Sequence, residues 1–174
     1  MKHTRVTESR TLVYSACRRA LDSYGQEPSP PLTGAGAEIG STYAYLSPIL
    51  NAIEAEWEAD RHSQLVLNTE ELVIESLFLL ARVMELTDLY SDSGVETPLT
   101  AACYFALGSY MEQEGNKEDR WRDQTVKTLY ENAREELMEV RENIKDDDLD
   151  ALLRNSVDFV LLVGILFAAV LDAR

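Results

Sequence analysis

The sequence predicts an all-α fold, a bundle of five or six helices with little or no sheet, and three observations carry that prediction. Apolar residues recur at three- and four-residue spacing along most of the chain. Breaks are concentrated, with half of the eight glycines and three of the five prolines lying between residues 25 and 40. Helix-start signals stand where the periodic stretches begin. At 174 residues, 45% apolar and 27% charged, the chain is expected to be one helical domain, 1–174, large enough to bury a core.

The first helix is expected from Glu8 to Tyr24, with Leu12, Val13, Cys17, Ala20, Leu21 and Tyr24 on its inner face and Gly25 as its stop. The loop 25–40 follows, where Pro28, Pro30 and Pro31 deny helix and Gly34 and Gly36 permit tight bends. Its tail "GAGAEIG" looks like a phosphate loop, but the spacing is GxGxxxG, no strand precedes it and no Lys-Ser/Thr pair follows. Leu46, Ile49, Leu50, Ile53 and Trp57 form the next stripe, which Ser47-Pro48 is expected to kink or restart. "LVL" at 65–67 reads as extended, with a helix restarting at Asn68 and Glu71 completing a capping box.

Thr97 and Pro98 then read as a cap and a first helical position, opening a small-residue helix ended by Gly115. A longer amphipathic helix is expected from Lys117 to about Asn143, presenting Trp121, Leu129, Ala133 and Leu137. "KDDDLD" caps a last helix, 149–172, whose run 159–171 is apolar at nearly every position. That run is shorter than the about 18–20 residues of a membrane span, so a buried helix with Gly164 at a close helix approach is expected, packed centrally or between subunits. Internal repeats are expected to be absent.

Composition restricts function. With 31 acidic and 16 basic residues the net charge is −15, which opposes nucleic acid as a bound ligand. A plain solvated surface, adaptation to high salt and a lining past which DNA slides all account for it. Cys17 and Cys103 lie in no metal or redox motif and read as reduced core thiols of a protein folded inside a cell, with a disulfide as the lesser alternative. No signal peptide is read in "MKHTRVTESR".

No catalytic, cofactor-binding or metal-ligating residue is predicted. The one acidic grouping with metal-like spacing is Glu71, Glu75, Glu85 and Asp88, which lacks the upstream Glu-x-x-Glu and the basic residues of an all-α nucleotide pyrophosphatase. His3 stands near the terminus, and His62 reads as a helix C-terminal residue facing the dipole. Trp57 and Trp121 read as core or rim packing.

The stretch "ALDSYGQEPSPPLTGAGAEIGSTYAYLSPILNAIEAEWEADRHSQLVLNTEEL" resembles the N-terminal half of the tail tubular protein A family, the head-to-tail adaptors of short-tailed bacteriophages. A first helix ending in Gly, a Pro-containing turn, a Gly-rich segment, a long helix and an Asn-x-Glu stretch fall at Leu21 to Gly25, Pro28 to Gly36, Leu46 to Trp57 and Asn68 to Glu71. "ETPLTAACYFALGSYMEQEGNKEDRWRDQTVKTLYENAREELMEVREN" is similar to the family's pairing of a small-residue helix with a long charged one. The chain departs from the family where strands and an insertion would stand, and at its apolar C-terminal helix.

The resemblance implies a structural virion protein and not an enzyme. It implies a homo-oligomeric ring of about twelve subunits at the head-tail junction, between portal protein and tail nozzle protein. Genomic DNA would pass through the lumen without specific binding, and no membrane is involved. The protein would fold in the host cytoplasm. The alternatives are a Mg-dependent pyrophosphatase-like enzyme and a helical interaction module from a high-salt organism.

Overall fold

The computed structural model describes residues 5–25, 39–87, 97–114 and 121–173, and among them six α-helices are present. They are α1 (Arg5–Tyr24), α2 (Thr42–Glu58), α3 (His62–Leu86), α4 (Pro98–Glu114), α5 (Val126–Lys145) and α6 (Leu149–Asp172), with a 3-10 turn Ile39–Ser41 leading into α2. No strand occurs among the described residues. Most of the loop 25–40, together with His3, Asp88, Gly115 and Lys117, lies outside them.

Local chemistry sets most helix ends. Gly25 closes α1 by donating its N–H to the Leu21 carbonyl at 2.8 Å. Thr97 caps α4, its Oγ1 accepting from the Thr100 N–H at 3.3 Å, and Pro98 is the first helical residue. Thr125 caps α5 by accepting from the Thr128 N–H at 3.1 Å, and Asp148 caps α6 by accepting from the Ala151 N–H at 3.2 Å.

Four expectations need correction. Of the kink or restart expected at Ser47-Pro48, the restart does not occur, because α2 begins at Thr42 and runs on through Pro48. Ala44, whose carbonyl lacks the usual amide partner there, is exposed, so water can serve it. "LVL" at 65–67 is helical within α3, since burial of Leu65 and Leu72 on one face outweighs the β preference of a short run. The long charged helix starts at Val126, and Trp121 sits half-buried in the turn before it. His62 opens α3 where a helix C-terminus was expected.

The helices form two copies of one three-helix unit, which corrects the expectation that repeats are absent. "SACRRALDSY" (15–24) and "AACYFALGSY" (101–110) share six of ten residues, namely Ala16/Ala102, Cys17/Cys103, Ala20/Ala106, Leu21/Leu107, Ser23/Ser109 and Tyr24/Tyr110. With a shift of 87 the buried Leu50, Ile53, Leu65, Thr69, Val73, Leu79 and Val83 fall on the buried Leu137, Val140, Leu152, Ser156, Val160, Leu166 and Val170.

Packing obeys the same symmetry. Exchanging α1 with α4, α2 with α5 and α3 with α6 maps every helix–helix packing among the described residues onto another: α1 on α6 answers α4 on α3, and α3 on α6 answers itself. The turns repeat too. Asp60 (φ 57°) and Asp147 (φ 54°) take left-handed backbone at equivalent places. Arg61 N–H then reaches Glu56 O at 3.0 Å and Asp148 N–H reaches Asn143 O at 3.1 Å, a Schellman closure in both copies.

Helix α6 lies at the centre, as expected, packed on α1, α3, α4 and α5. It is long and apolar enough to cross a membrane, yet 72% of its most apolar window is buried inside the chain. Gly164 permits this. A Cβ there would stand 2.8 Å from Val13 Cγ2 and would collide with the Tyr110 hydroxyl. That hydroxyl is fully buried and is shared between the Val160 carbonyl (3.0 Å) and the Leu161 carbonyl (2.8 Å).

Candidate functional site

The repeat fixes where its axis runs, because equivalent residues that touch must lie on it. Cys17 of α1 and Cys103 of α4 are equivalent, both buried and free, and their thiols stand against each other. The neighbouring Cys17 thiol first, and then burial, push the Cys103 thiol far above the ordinary thiol range. Such a group stays protonated and inert as a nucleophile.

Two grooves of about 440 and 480 Å³ flank the crossing of α2 and α5, and their linings are equivalent under the same exchange. In one, the Arg141 guanidinium lies 4.7 Å above the Tyr43 ring. In the other, Glu54 stands where Arg141 would, and the Tyr130 hydroxyl donates to its Oε2 at 3.0 Å. Arg134 Nε donates to the Tyr130 oxygen at 2.9 Å, and a second Arg134 nitrogen donates to Asn51 Oδ1. Burial raises the Tyr130 phenol and Glu54 adds to that, while Arg134 opposes it. Glu54, Tyr130 and Arg134 of the second groove are therefore spent on tying α2 to α5.

The acids with metal-like spacing are dispersed. Glu71 is exposed, Glu75 is buried and Glu85 is half-buried along α3. Among the described residues no three His, Cys, Asp or Glu side chains gather as a metal site. One acidic contact does stand out on α5, where burial first, and then Glu139, Asp158 and Glu135, push the Glu136 carboxyl up to about 7. It borders a cavity of about 270 Å³ with Asp158 of α6.

What the fold does offer is a surface. On α4, Tyr104 is 67% exposed, Met111 61% and Phe105 43%, around the exposed Gly108. The run 97–111 carries no charge in a chain of net −15. The repeat supplies the comparison, because the equivalent positions of α1 hold Arg18, Arg19 and Asp22, all exposed. The same fold position accepts charge in one copy and holds aromatic rings in the other. The signal was present in the sequence as that uncharged run, but a helix of Ala, Gly and Ser there also reads as close packing. Trp57, expected in the core or at a rim, is 38% exposed at the rim of the second groove.

Fold and surface define a class: a duplicated three-helix bundle whose most distinctive exposed feature is an apolar helix face. Compared with family models, with curated proteins and with solved structures, the chain matches none of them.

Proposed function

We propose that the protein is a structural subunit that works by association and not by chemistry. The observation that carries this reading is the outward face of α4, where Tyr104, Phe105 and Met111 are exposed around Gly108, and where the α1 equivalents of Tyr104, Phe105 and Gly108 are the charged Arg18, Arg19 and Asp22. Each such side chain gains about 1.5–3 kcal/mol when fully buried, so a partner that covers the face gains several kcal/mol before its own entropy loss. Exposed apolar groups scattered singly call for no explanation, whereas a contiguous set on one helix marks an interaction site.

In the form that the resemblance to tail tubular protein A suggests, the assembly is a head-to-tail adaptor ring between portal and tail nozzle. The acidic surface supports that form, since a negative lumen lets DNA slide without binding. Electron microscopy of the protein, alone and mixed with the portal protein of the same genome, tests it. Rings with a central channel are the expected result, and a portal left bare at high protein concentration contradicts the adaptor form.

A further inference from the structure

We infer that a second copy of this chain docks on the outward face of α4, in a twofold pair whose helices cross at Gly108. The inference rests on the reading that the protein works by association; it adds the partner and the contact.

Gly108 is the starting point. Glycine inside a helix destabilises it relative to alanine, so it persists where something needs the missing side chain. At Gly164 that need is met within the chain, by Val13 and Tyr110. At Gly108 it is not, because among the described residues a Cβ built there meets nothing within 4 Å. The fold position does not demand glycine either, since its equivalent in α1 is Asp22. What remains is an approach from outside. Tyr104, Phe105 and Met111 surround the glycine and make it a notch into which another helix backbone can come close.

Charge identifies the partner. Two chains of net −15 repel each other, and they can meet closely only where that charge is absent. Helices α1 and α4 pack together, and between them they carry four basic and four acidic residues. This layer is neutral within an acidic molecule. A basic partner would gain more from the acidic faces elsewhere, whereas a copy of the chain is the partner for which a neutral, apolar face is needed. A twofold arrangement lets one patch serve both copies and places glycine against glycine at the crossing.

The test compares the wild type with Gly108→Gln and with Tyr104→Arg/Phe105→Arg, which restores the pattern of α1. Mass is followed by sedimentation equilibrium in about 1 M KCl, where charge repulsion is screened within about 3 Å. The expected result is a wild-type dimer, with a dissociation constant at least tenfold higher in either variant. Gly108→Gln has open space around its Cβ and gains helix propensity, so its thermal midpoint measured on dilute protein should rise while pairing falls.

A wild type that is monomeric up to about 200 µM overturns the pair. So does a dimer or ring that both variants form unchanged, although the reading of the protein as an assembly subunit would then stand. Loss of that reading has its own sign, namely a chain that is monomeric and also ignores portal protein.

Discussion

Cys17 and Cys103 occupy the same position in two copies of one three-helix unit, and they touch each other. Contact between equivalents places them on the pseudo-twofold axis, where α1 crosses against α4 with both thiols sealed from solvent.

That sealing predicts chemical silence. At pH 8 the native protein should show neither thiol to a disulfide reagent within minutes, and both after unfolding in denaturant, because a sulfur sealed in the core is out of the reagent's reach. Rapid modification of the folded chain would show that α1 and α4 part easily.

The two mid-helix glycines should respond in opposite directions. Gly164→Ala forces a methyl against Val13 and Tyr110 and should cost about 1–3 kcal/mol. Gly108→Ala meets nothing and should stabilise the monomer by about 1 kcal/mol through helix propensity alone. Urea unfolding of dilute protein measures both; equal effects would mean that the α6 crossing is looser than described.

The Glu136 carboxyl makes stability depend on pH with a sign opposite to that of a salt-bridged acid. Its value of about 7 in the fold lies above the 4.5 of the free group, so the folded state holds the proton more tightly. Its contribution is complete below about 4.5 and is lost as pH rises through about 7. Glu136→Gln should therefore raise the thermal midpoint at pH 8 and flatten its change between those two values. A variant that parallels the wild type across that window would remove Glu136 as the cause.

The left-handed turn residues carry avoidable strain. Asp147→Gly should stabilise the chain by about 0.5–1 kcal/mol, as should Asp60→Gly, because glycine adopts positive φ without a Cβ clash. Since the two turns are equivalent but distant in the fold, the double variant should show additive effects in chemical denaturation. Destabilisation by either change would mean that the aspartate side chain itself holds the turn.

Legibility followed the range of the interactions. Caps and stops are local, so Gly25, Thr97-Pro98 and the Asp148 cap could be read from neighbouring residues, and the apolar run 159–171 announced a buried helix with Gly164 at its crossing. Ser47-Pro48 and "LVL" misled because each carries a real local preference that packing overrides, through Leu46 and Leu50 around the proline and Leu65 and Leu72 across the β-like run. The repeat was hidden because its identities are spread over buried positions such as Ala16, Cys17 and Ala20, while surface positions such as Arg18 and Tyr104 have diverged. The α4 face could not be read because sequence does not say which side of a small-residue helix is left uncovered.

The central claim, association through α4 at Gly108, is tested most directly by Gly108→Cys under mild oxidation with oxidised glutathione. The native thiols are buried, so the introduced one is the accessible thiol among the described residues. A twofold crossing at this position brings it against its own copy, and the account predicts efficient conversion of the 19.6 kDa chain to a covalent dimer, well above that of Lys127→Cys on α5. Cross-linking of the Gly108 variant no greater than that of the Lys127 variant would contradict it.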